Sequence, residues 1–146
     1  MSFRAATQIT SRRSAFATFK HQLLPLSSSL RQFHTTLPKM TVHNIATEAE
    51  FDETVKKYPV VLVDAFATWC GPCKAIAPLI VKMSEEERFK DVFFAKIDVD
   101  ELPQLSQKLG ITAMPTFVAF KDGKLVEEKV VGAKPNDIQA LLASQL

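Results

Sequence analysis

The chain has 146 residues, 47% hydrophobic and 23% charged, with a net charge of +2, which is ordinary for one globular domain with room for a core. No apolar run approaches the roughly 18 residues of a membrane-spanning helix, and two cysteines are too few for a disulfide-stapled secreted scaffold. The six basic residues of segment 1–40 stand there without any acid, leaving 12 basic and all 16 acidic residues in segment 41–146, so the overall positive charge is no argument for nucleic-acid binding.

Segment 1–40 is rich in Arg, Ser and Thr and has no long apolar stretch. That composition matches a mitochondrial transit peptide, drawn inward by a matrix-negative potential. A secretory signal would need an apolar core of about 7–15 residues. Ile9, Phe16, Phe19 and Leu23 share one helical stripe, interrupted by Arg12. The plainer reading is a basic tail. "RQFHTTLPKM" (31–40) resembles a two-step processing site, with cuts after Gln32 and Met40. The expectation is import into the mitochondrial matrix and removal of residues 1–40; translation from Met40 would give a cytosolic form.

From residue 41 strands and helices alternate. "VHNIA" (42–46) is a short strand, and Thr47 with Glu50 three residues on forms a capping box opening a helix to about Lys57. "PVVLVDAFA" (59–67) is apolar on both faces, as a strand covered on both sides should be. After the cysteines, a helix puts Ile76, Ala77, Ile80 and Met83 on one side, with a kink expected at Pro78. Glu85 to Glu87 read as a solvated end. "VFFAKIDV" (92–99) is a strand, and "LPQLSQKLG" (102–110) a short helix stopped at Gly110. "TFVAF" and "LVEEKVV" flank Asp122-Gly123, a hairpin signal. A last helix runs from about Pro135 to Leu146. The order β-α-β-α-β-α-β-β-α describes an α/β domain over 41–146: a central mixed sheet with helices on both faces. Its scattered glycines form no phosphate-binding cluster.

Both cysteines lie in "WCGPC" (69–73), beside the only tryptophan. Such a pair is a redox couple, half of a metal site, or two unrelated thiols. A zinc site needs about four ligands, and His43 is the one histidine of segment 41–146; a Cys–His hydrolase meets the same shortage. A strand before the pair and a helix after it favour redox chemistry. Unpaired N–H groups and the dipole at the helix start stabilise a thiolate at Cys70, and Cys73, one turn inside and more buried, is placed to resolve a mixed disulfide.

"VDAFATWCGPCKAIAP" resembles the active-site segment of thioredoxins, and the similarity continues through "FFAKIDVDE", "ITAMPTFVAFKDGK" and "VVGA". The resemblance implies the thioredoxin fold and protein-disulfide reduction through a Cys70–Cys73 couple, with no cofactor beyond that disulfide and no metal. It also implies thioredoxin reductase as electron donor, disulfide-containing clients such as peroxiredoxins, and a monomer. A redox-independent binding subunit or scaffold of the same fold is the alternative.

Further roles follow from the same resemblance. Asp64, a carboxylate in an apolar strand, is costly there unless protonated, paired or hydrated; it corresponds to a buried acid that relays the Cys73 proton through solvent. The plainer alternative is a carboxylate facing water at the strand end. Lys96 corresponds to a lysine that tunes that acid, against the plainer reading of an exposed strand lysine. The Met114–Pro115 bond is expected to be cis, with the Met114 backbone pairing with substrate. Trp69, Gly71, Pro72 and Gly132 complete a shallow apolar groove, Gly132 allowing close backbone approach. Phe66 stands where many thioredoxins carry a second tryptophan, which alters the packing beside the site. The Gly-Pro pair resembles reductant thioredoxins and not oxidising disulfide isomerases.

Overall fold

The computed structural model describes residues 41–146; the expectation of a transit peptide falls on 1–40, outside the described residues. The elements are β1 (Val42–Asn44), α1 (Glu48–Lys57), β2 (Val60–Phe66), α2 (Gly71–Ser84), β3 (Val92–Asp98), α3 (Pro103–Lys108), β4 (Thr116–Lys121), β5 (Lys124–Val131) and α4 (Pro135–Ala143). The expected order is therefore present, with shorter ends. β1 stops at Asn44, although Ile45 still donates its N–H to Lys96 at 3.0 Å. Helix α4 ends at Ala143.

The five strands form one mixed sheet in the order β1-β3-β2-β4-β5. β1, β3 and β2 run parallel, and β4 and β5 add antiparallel. Strand β2 lies at the centre and is buried along nearly its whole length, which explains why its sequence lacks a polar face. One face carries Leu62, Phe94 and Phe117 against Ile76, Ile80 and Met83 of α2 and Ile138, Leu141 and Leu142 of α4. The opposite face carries Val61, Val63 and Ile97 against Phe51 and Val55 of α1 and Leu105 of α3. This is the thioredoxin fold: a mixed sheet with helices on both faces.

Local chemistry accounts for the element ends. Thr47 Oγ1 accepts the Glu50 N–H at 3.1 Å, capping α1, while Glu50 Oε2 accepts from Ala46 N at 2.9 Å. The reciprocal bond thus reaches one residue further back than a standard capping box. Asp122 and Gly123 both have positive φ, 49° and 77°, the backbone of a two-residue turn whose twist suits the β4–β5 hairpin. One detail of α2 differs from expectation: Ala77 faces outward while Cys73, Ile76, Ile80 and Met83 are buried. Pro78 lies inside the helix. A 3-10 turn at Glu87–Phe89 follows α2, burying Phe89 against Phe94; the charged residues around Phe89 had masked this core position.

Candidate redox site

The site forms where β2 ends and α2 begins, at the carboxyl end of a central strand, where α/β folds place functional loops. Cys70 and Cys73 are joined as a disulfide, with Cα atoms 5.3 Å apart. Cys70 is the N-cap of α2, and its Sγ accepts the Cys73 N–H at 3.2 Å. A sulfur at this position meets helix-terminal N–H groups that would otherwise lack partners, and these favour negative charge on it when the bond opens. Expectation and structure part on burial. Cys70 and Cys73 are 5% and 4% exposed, so burial does not separate them in the disulfide state; position at the cap does.

The other expected residues gather around this bond. Trp69 is 66% exposed, and its indole Nε1 donates to Asp100 Oδ2 at 2.8 Å. It is a rim residue, held from the loop after β3. Gly71 and Pro72 are exposed at the start of α2. Met114, Phe66 and Val99 pack against Ala67 and the two cysteines. The Met114–Pro115 peptide is cis, and Thr116 Oγ1 donates to Ala113 O at 2.7 Å across that turn. Gly132 donates its N–H to Pro115 O at 2.8 Å. Its φ of +93° calls for glycine, and apart from its chain neighbours no heavy atom of the described residues lies within 4 Å of where a Cβ would be.

Asp64 sits below the disulfide on β2, 5% exposed, and its Oδ1 has no hydrogen-bond partner among the described residues. Burial pushes its pKa up to about 7, against an opposing pull from Lys96. Lys96 is its register partner on β3. Asp64, Lys96 and Cys73 all line one cavity of about 300 Å³, together with Phe66, Thr68 and Lys74. A second cavity of about 330 Å³ reaches Asp64 and Lys96 from the side of Val81 and Glu85. A separate cavity of about 420 Å³ is lined by His43, Tyr58 and Phe93 near the start of β2 and contains none of these groups. The polar contacts that sequence reasoning missed are Asp100 and the contact between Phe66 and Lys96; neither has a signature in residue spacing. No group of three or more His, Cys, Asp or Glu side chains suited to a metal occurs among the described residues.

A disulfide capping a helix at the end of a central strand, with an exposed aromatic rim, defines a thiol-disulfide oxidoreductase. The thioredoxin family profile matches residues 42–144. The chain belongs to the thioredoxin family, and its redox centre is the Cys70–Cys73 pair. Among its relatives, thioredoxin-2 of Pyricularia oryzae is 48% identical over 118 residues, 81% of this chain and 67% of that one. Thioredoxin-1 of Saccharomyces cerevisiae is 48% identical over 103 residues, 70% of this chain and 97% of that one. The structure of mitochondrial thioredoxin 3 from Saccharomyces cerevisiae, in its oxidised form, superposes with a TM-score of 0.66 at 36% identity, covering 71% of this chain and 95% of that one. A chain from a study of thiol resolution in a yeast mitochondrial 1-Cys peroxiredoxin by glutathione and thioredoxin systems superposes with a TM-score of 0.65 at 36% identity, covering 70% and 94%.

Proposed function

We propose that this thioredoxin reduces client disulfides in the mitochondrial matrix, with Cys70 as nucleophile, Cys73 as resolving thiol and Asp64 as proton carrier. The observation that carries the division of labour is the helix-cap position of Cys70, whose Sγ receives the Cys73 N–H. In the reduced protein the Cys70 thiolate attacks one sulfur of a client disulfide, and the other client sulfur leaves as thiolate. Asp64 takes the Cys73 proton through solvent in the cavity that both residues line. The Cys73 thiolate then attacks Cys70 Sγ, releasing the second client sulfur and forming the Cys70–Cys73 disulfide. Two electrons pass to the client. An acid titrating near neutrality both accepts and returns a proton at physiological pH.

Thioredoxin reductase returns the two electrons, and Lys96 moderates the acidity of Asp64. Trp69, Gly71, Pro72, Met114, Pro115 and Gly132 receive the client, with the Met114 backbone pairing with an extended client segment. Peroxiredoxins are one client class, supported by the structural relative studied with a mitochondrial peroxiredoxin. Matrix location is supported by the acid-free composition of residues 1–40 and by the mitochondrial relative. The experiment is reduction of a protein disulfide by the chain with NADPH and thioredoxin reductase. Turnover that is lost in Cys70→Ser is expected; no turnover by the intact chain would leave only a redox-independent scaffold role.

A further inference from the structure

Asp64 and Lys96 are in register across the β2–β3 pair, yet no ion pair joins them among the described residues. The Lys96 ammonium instead lies over the ring of Phe66, 5.1 Å from its centroid. Phe66 is two residues beyond Asp64 on β2, so both side chains leave the same face of the sheet. The ring is half-buried against the cysteine cluster. Attraction between a partly desolvated cation and the face of such a ring favours one of two nearby positions of a flexible lysine.

We propose that Phe66 is a positioning residue for the redox reaction, its ring holding the Lys96 ammonium at the cysteine end of the cavity and out of contact with Asp64. The inference rests on the reading of Asp64 as proton carrier. A lysine in contact with that carboxylate would keep it ionised and unable to return a proton near neutrality. Other charged groups around Asp64 do not substitute for Lys96. On α2, Lys74 and Glu85 line the two cavities that Asp64 also lines, and neither pairs with it. On β3, Asp98 is the register partner of Phe66, and its Oδ1 accepts the Asp100 N–H at 2.9 Å. Strand β4 presents Phe117 opposite Asp64, and the β1 side presents Thr41 and Val42, none of which titrates.

The test is titration of the Asp64 carboxyl carbon by NMR in the full chain, disulfide intact, for Phe66→Leu, Phe66→Trp, Lys96→Met and the Leu/Met double variant. Phe66→Leu should lower the midpoint by about one pH unit, as expected for a cation released toward a carboxylate. Phe66→Trp should leave it in place, and the leucine effect should vanish in the Lys96→Met background. An unchanged or raised midpoint in Phe66→Leu, or a fall that persists without Lys96, overturns the proposal. If the leucine variant does not fold, Phe66→Met carries the same reading. The titration involves no cysteine chemistry, so it stands apart from the relay itself. Should the midpoint move while the rate of mixed-disulfide resolution keeps its pH profile, the positioning holds and the relay fails.

Discussion

Trp69 and Asp100 are linked by a 2.8 Å hydrogen bond from indole Nε1 to Oδ2, across 31 residues of chain. The bond holds a side chain that is otherwise two-thirds exposed beside the disulfide, and on the proposed reading of Trp69 as part of the client surface it orders that surface before a client arrives. Preorganisation of this kind spares the cost of immobilising a side chain on binding. Asp100→Ala should free the indole and raise KM for a protein client about fivefold, corresponding to about 1 kcal/mol for one lost hydrogen bond, with kcat unchanged. Because Trp69 is the only tryptophan, its fluorescence anisotropy should fall in the same variant. Unchanged anisotropy would show that the bond does not hold the ring in solution.

The cap position of Cys70 predicts an asymmetry between the two thiols. Cys73→Ser should accumulate covalent adducts with client proteins, since the attacking thiol remains and the resolving thiol is gone. Cys70→Ser should accumulate few. Non-reducing electrophoresis after exposure to an oxidised client checks this, and equal trapping by both variants would contradict the assignment.

Asp64 ties stability to pH. Its folded-state pKa is raised from 3.8 to about 7 by burial, so the folded protein binds the proton more tightly than the unfolded chain does. The stability this contributes is fully present below about pH 3.8 and is lost as pH rises toward 7. The whole shift corresponds to a loss on the order of 4 kcal/mol. Asp64→Asn removes the titrating group, so it should be more stable than the parent at pH 8 and differ little at pH 4. Denaturant unfolding at the two pH values measures the difference. The same variant should resolve mixed disulfides more slowly and with a flatter pH dependence. Equal stability gains at both pH values would remove burial of the charge as the cause.

The acid-free segment predicts location. Organelle fractionation and N-terminal sequencing should find the matrix protein starting at Thr41, with any cytosolic form starting at Met40 or Thr41. A chain lacking residues 2–39 should lose import yet fold, because the sheet described here begins at Val42. A matrix protein retaining residue 1, or absence from mitochondria, would contradict the proposal.

Much of this molecule is decided within short stretches of sequence. The Cys70–Cys73 spacing, the apolar run of β2, the Thr47 cap and the Asp122-Gly123 turn each act through residues close in the chain, where sterics and local hydrogen bonding leave few options. They determined the redox pair, its place between strand and helix, and the order of elements. Residues far apart in sequence meet only through sheet register and loop return. That β1 lies beside β3, that Asp64 faces Lys96, and that Lys96 lies over Phe66 follow from the pairing of whole strands. The bond from Trp69 to Asp100 depends on where the loop after β3 passes. Ala77, which helical spacing would place with the buried stripe, instead lines the two cavities around Asp64. Such contacts are set by packing across the whole core, which buries apolar surface without regard to sequence distance; the helix cap at Cys70 is local, whereas the placement of Asp64, Lys96 and Phe66 around the redox pair is decided by the tertiary structure.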